Sequence, residues 1–387
     1  MKRSVLLFFT SASALLMLSI NFSCSKSSSD SGSSSGGGSG GGTTVSTKDS
    51  VLLNIGNNII LPSYQSLSVA VNSLDSAITD FNASANATKL LTVQALYKTA
   101  YTAWQAASEY NAFGPASTVS PTLTGLNLFP PTVTKIDSNI VANNNNVNAF
   151  ANATAKGFPA LDYLLFGAGA NTLANYTTAT TASNRKQYLA AVSADIKAEV
   201  TAALSGWSAT GSNYISTFIA GTGNSISSSL GLLMNSMIQD FEISKNDRFG
   251  IPLGKQPPGT TLPVLPNEVE SYYGGISIQL AMAELKTVQG IYLGTGGQGN
   301  GYGLSNYLVK ANAKYNGGLL SDTIRVRLAQ AVTDMQALQD PFSSTILTNT
   351  AAANTVYADL QKLVVLFKTD MCSALGVQIT FGDNDGD

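Results

Sequence analysis

This chain offers few residues for chemistry. Only 11% of its 387 residues are charged and none is histidine, against about 25% charged in an average soluble domain. Without an imidazole, Ser-His-Asp and Cys-His catalysis, His-x-x-Glu metal sites and histidine-ligated haem are all excluded. Cys24 and Cys372 are the only thiols. They lie at a leader boundary and in an apolar helical stripe, so no tight zinc site is expected. The remaining donors are carboxylates, a few cations and hydroxyls, a set that suits harder ions such as calcium, magnesium or iron. Five residues stand out as candidate ligand-binding groups: Asp162, Arg248, Lys255, Glu270 and Ser271.

Asp162 lies in residues 157–167, read as Gly-Phe-Pro-Ala-Leu-Asp-Tyr-Leu-Leu-Phe-Gly. Pro159 suits the first helical position, where its missing N–H is not needed, and Gly167 suits the helix end. Asp162 then falls near the first turn, where the helix dipole favours a charged carboxylate unless burial is deep. Its neighbours are apolar nearly all round, which predicts a buried helix. Arg248 and Lys255 belong to residues 247–255, a Gly- and Pro-punctuated loop expected directly after a helix. Arg248 is expected to pair with Asp247, Glu242 or a helix C-terminus, or else to hold an anion or a carboxylate from another segment, Asp162 among them. Glu268 and Glu270 fall in the first turn of a helix expected over residues 269–290 with Asn267 as its cap. Glu270 and Ser271 can face a cleft there.

Two other stretches are discounted. Residues 294–303 are Gly-rich but lack the Lys-Ser/Thr ending of a phosphate loop, and are expected to form a mobile loop. Residues 383–387 resemble half of a calcium loop without the distal glutamate, so specific calcium binding is not expected there.

These groups need elements to position them, and the apolar spacing is helical almost throughout. Ile55, Ile59, Tyr64, Leu67, Val71, Leu74, Ile78 and Phe81 keep one face, with Pro62 expected to break or kink it. Tyr97, Tyr101 and Trp104 form a core stripe. Further stripes run from Tyr188 to Trp207 and Ile226 to Phe241, and over residues 324–338 and 356–375. No alternating strand set stands out, so the class is all-α. Residues 206–212 are rich in Gly, Ser and Thr and mark a boundary between an N-terminal helical bundle (49–208) and a C-terminal one (209–387).

Lys2 and Arg3 precede an apolar run that ends at Ser23 and Cys24, the pattern of a lipoprotein leader (1–24) with Cys24 as lipidation site. Residues 25–48 are almost entirely Ser, Gly and Thr and read as a flexible tether. The expected partner is therefore a membrane reached through a lipid anchor, in the cell envelope at the outer membrane, on its periplasmic or surface side. The formal net charge of −2 and the lack of a basic run after the leader leave nucleic acid no electrostatic footprint.

Residues 157–167 resemble the Gly-x-His-x-x-Glu segment of the imelysin-like peptidase family, with Pro159 in the histidine position and Asp162 in the glutamate position. Four other segments support the resemblance: residues 104–115 (Trp-Gln-Ala-Ala-Ser-Glu-Tyr-Asn-Ala-Phe-Gly-Pro), 248–255, 270–277 and 375–387. The resemblance implies two helical bundles with a cleft between them, in exported proteins often linked to iron uptake. With the histidine replaced, the expectation is a non-catalytic envelope lipoprotein binding a small ligand or ion. The alternatives are a peptidase using an unrecognised site between the bundles, betrayed by a perturbed carboxylate beside a water-holding cleft, or a structural surface protein with no concave site.

Overall fold

The computed structural model describes residues 47–119, 124–256 and 262–382. The leader, Cys24, nearly all of the tether and residues 383–387 lie outside the described residues. Thr47 and Lys48, the end of the tether as read from sequence, already belong to the first helix.

Helix α1 (Thr47–Asn54) passes through a π-helical stretch (Ile55–Ile60) into α2 (Leu61–Ala83). The break expected at Pro62 does not occur. The widened turn places Leu61 N on Gly56 O, five residues back, and Pro62 enters the first turn of α2, where its missing N–H is harmless. The chain folds back into α3 (Ala87–Gln105), whose start is capped by the Asn86 side chain accepting from Lys89 N at 3.0 Å. Short helices α4 (Gly114–Val119), α5 (Val133–Val141), α6 (Gly157–Phe166) and α7 (Ala174–Thr177) lead to the long α8 (Ala182–Trp207). Helix α2 packs between α3 and α8. Its buried stripe is the one read from sequence, and Tyr64 stacks on Trp207 at 6.2 Å.

The second half holds α9 (Tyr214–Ala220), α10 (Ser229–Ile243), α11 (Ser277–Leu293), α12 (Leu304–Lys310), α13 (Leu320–Gln336), α14 (Phe342–Thr348), α15 (Thr350–Val365) and α16 (Cys372–Leu375). The protein is thus all-α, with two helical bundles packed together. Helix α11 lies against α13 on one side and α3 on the other, while α10 lies on the 3-10 turn Ser108–Tyr110. This seam carries the candidate site. Cys372 is buried, and burial pushes its thiol up to about 12.

Three sequence expectations change. Helix α10 does not end before Arg248 but continues as a π-helix, Ser244–Gly250. Helix α11 begins at Ser277, not near 269, because residues 269–276 form turns after a short 3-10 segment, Pro266–Glu268. Asn267 is exposed in that segment and caps no long helix. The Gly-rich stretch is a tied-down hairpin of β1 (Thr295–Gly296) and β2 (Gly299–Asn300), because Asn54 Nδ2 donates to Gly294 O and Tyr302 O, each at 3.0 Å. Among the described residues the one other strand pair is β3 (Lys314–Tyr315) with β4 (Gly318–Leu319). No described helix is long and apolar enough to cross a membrane.

Candidate functional site

Two polar clusters meet at the seam, and residues 270–274 belong to both. Asp162 sits in the second turn of α6, one turn further in than the sequence suggests. Helix α6 can start where it does because Gly157, at φ 74°, lies so close to Leu126 O that a Cβ would come within 2.4 Å. Phe158 then stacks on Tyr101 of α3 at 4.8 Å, which locks α6 to α3.

The Asp162 carboxylate is 1% exposed and filled by uncharged donors. Oδ1 accepts from Tyr97 Oη (2.9 Å), Ser271 Oγ (2.8 Å) and Gly274 N (2.9 Å), and Oδ2 from Tyr273 N (2.9 Å). Ser271 holds φ 50°, and the turn closes over the carboxylate. A Cβ on residue 274 would lie 2.5 Å from Asp162 Oδ1, so glycine is required there. Burial pushes the Asp162 carboxyl up to about 6, against the four hydrogen bonds that favour its charged form.

Arg248 is 5% exposed on the π segment. Its Nε pairs with Glu270 Oε2 at 2.6 Å, Nη1 pairs with Glu284 and donates to Ser244 Oγ (3.1 Å), and Nη2 donates to Gln105 Oε1 (2.6 Å). Glu270 Oε1 accepts from Tyr101 Oη (2.8 Å), Asn127 Nδ2 (2.8 Å) and Gln105 Nε2 (3.2 Å). Burial works against the guanidinium charge, yet Glu270 and Asp240 beside it hold its pKa above the ordinary value.

Asp162, Arg248, Glu270 and Ser271 therefore share one connected network: Ser271 touches Asp162, and its neighbour Glu270 holds Arg248. Arg248 holds carboxylates from another segment, one of the arrangements expected, but not the particular acids named from sequence. Arg248 bonds neither Asp162 nor Asp247 or Glu242, since the folding of residues 270–284 brings two other carboxylates to it; Glu242 meets Lys368 at 3.1 Å instead. Lys255 joins none of these bonds and lies over the Tyr357 ring at 5.3 Å. Sequence reasoning missed Tyr97, Tyr101, Gln105, Asn127 and Glu284. The two tyrosines sit in a helical stripe that reads as core, and nothing in the spacing marks their hydroxyls as site donors.

A cavity of about 240 Å³ opens beside Arg248, with Trp104, Ser108, Asn127 and Asp240 in its wall. The buried Trp104 indole N–H has no hydrogen-bond partner. A second cavity of about 60 Å³ lies against Pro159, Asp162, Ser271 and Tyr273. Among the described residues, Glu109, Asp240 and Glu284 are the one acidic set close enough to hold a metal ion jointly.

An all-α pair of bundles with a polar, charge-compensated site at the seam defines the class. The chain belongs to the imelysin family, peptidase family M75, whose model matches residues 60–369. In structure it is similar to an imelysin-like protein from Psychrobacter arcticum 273-4, with a TM-score of 0.64 and 18% identity, covering 87% of this chain and 98% of that one. It is also similar to a protein from Parabacteroides distasonis ATCC 8503 described as an iron-regulated protein A precursor, with a TM-score of 0.68 and 16% identity, covering 87% and 97%. At these identities the likeness concerns the fold. No curated protein matches the chain in sequence.

Proposed function

We propose that the chain is a non-catalytic binding protein of the cell envelope, carried on a lipidated Cys24, that takes a small ligand or ion in iron-linked or related uptake. The observation that carries this reading is the seam cavity, walled by Arg248, Asp240, Ser108 and Trp104. Such a wall can orient a polar ligand. The lack of imidazole, with Pro159 where the family motif has its histidine, supports a role without catalysis. The iron-regulated neighbour supports the link to iron. Purified protein should leave casein intact with and without added divalent metals; metal-dependent cleavage would overturn the reading. Mass spectrometry should find Cys24 acylated, and the Cys24→Ala protein should leave the membrane fraction. An unmodified Cys24 would remove the anchor.

One observation favours a hydrolase instead. Asp162, held at about 6 beside the 60 Å³ cavity, is a carboxyl able to trade a proton near neutrality next to room for water. Casein cleavage lost in Asp162→Asn would select that reading.

A further inference from the structure

Hydrogen bonds satisfy Asp162, and hydrogen bonds together with the Arg248 ion pair satisfy Glu270, but other acids of the seam are left over. Glu109, in the 3-10 turn Ser108–Tyr110, is fully buried, and neither of its carboxylate oxygens has a hydrogen-bond partner. Glu284 of α11 is 1% exposed; one oxygen faces Arg248 and the other has no hydrogen-bond partner. Asp240, near the end of α10, brings a third carboxylate, and one oxygen from each of the three lies within 4.8 Å of the others. Arg248 is the cation acting on Glu109 and Asp240, but its own bonds go to Glu270, Glu284, Gln105 and Ser244. A buried carboxylate without a partner must take up a proton or a cation.

We infer that Glu109, Asp240 and Glu284 form a binding site for one hard, oxygen-preferring metal cation. Two metal–oxygen bonds of roughly 2.3–2.6 Å span about 5 Å, so one ion can touch all three carboxylates without backbone movement. The donor set is all oxygen, which selects ions of the calcium, manganese and iron type over zinc. Access is provided too: Asp240 is half-buried and lines the 240 Å³ cavity, through which an ion can arrive and keep part of its water. Ser108 Oγ donates to Asp240 Oδ2 at 2.6 Å and leaves Oδ1 for the metal. Arg248 shares Glu284 with the ion and offsets part of the acidic charge.

This deepens the binding reading by naming the ligand class, and the test separates the two. The full chain is titrated by equilibrium dialysis with Mn2+, Ca2+ and, without oxygen, Fe2+. One equivalent of at least one of these ions should bind; affinity should fall by about 100-fold or more in Glu109→Gln and hold in Asp322→Asn, an exposed acid of α13. Circular dichroism checks that Glu109→Gln is folded. Anomalous diffraction from wild-type crystals soaked in Mn2+ needs no variant and should place the ion between the three carboxylates. Loss of binding in Asp162→Asn but not in Glu109→Gln overturns the inference and keeps the binding reading. Absence of binding by all three ions also overturns it, Glu109 then holding a proton, while an organic ligand in the cavity would still support a binding protein.

Discussion

Two buried cations in this molecule each hold two carboxylates, and the difference between them separates scaffold from site. Lys156, 2% exposed, meets Asp195 at 2.8 Å and Glu199 at 3.0 Å. Both acids stand one turn apart on α8, so this cluster ties the start of α6 to a helix of its own bundle. Arg248 instead gathers Glu270, Glu284, Gln105 and Ser244 from four segments on both sides of the seam. A lysine is a compact charge that suits the first task; only the planar fork of an arginine can bond so many partners at fixed angles. Arg248 moreover stands in the wall of a cavity, beside acids it does not bond.

The sharpest way to break this comparison is to remove each cation. Arg248→Met leaves Glu270 and Glu284, both 1% exposed, without their cation and should cost about 3–5 kcal/mol in urea unfolding. It should also change ligand binding at the seam, where Arg248 forms part of the cavity wall and holds Glu284. Lys156→Met should cost less, because the Glu199 side chain, 10% exposed, can reach water, and should leave binding intact. A Lys156→Met protein that loses binding would erase the distinction.

The next effect concerns pH. Asp162 is raised from 3.8 to about 6 on folding, so between these values the native state holds more protons than the unfolded one. Stability from this group is therefore present below about pH 4 and lost as pH rises through about 6, by about 3 kcal/mol in total. Asp162→Asn should flatten that part of the stability curve; an unchanged slope between pH 4 and 6 would show that Asp162 titrates normally. The smallest effect is Tyr101→Phe, which removes one donor from Glu270 but leaves Asn127, Gln105 and Arg248 on it. A loss of about 1 kcal/mol is expected in the same unfolding assay.

Sequence reading reaches the helices, and it singles out Asp162, Arg248, Glu270 and Ser271, which the fold brings into one buried network, for a physical reason. In a chain so poor in charge, an ionised group inside an apolar run has few alternatives to a buried site. It could not reach the partners, because Tyr97 and Tyr101 show the same periodicity as core residues and hide their hydroxyls inside it. Lys255 lies outside that network because the backbone turns it onto Tyr357, a placement that the Gly- and Pro-rich composition of its segment does not contain. The start of α11 was misread because Asn267 and the two glutamates make a good helix opening locally. The four donors on Asp162 need residues 271–274 as a turn, a tertiary demand that local propensity does not contain.

The backbone N–H groups of Tyr273 and Gly274, in a turn outside any helix, are pinned by the Asp162 carboxylate of α6. Neither amide proton can reach solvent through fraying of α11, which starts only at Ser277. Their deuterium exchange must wait until α6 and the turn part. These two amides are thus an internal clock for separation of the bundles, and a ligand that bridges the seam should slow them together while leaving helix-end amides elsewhere unchanged.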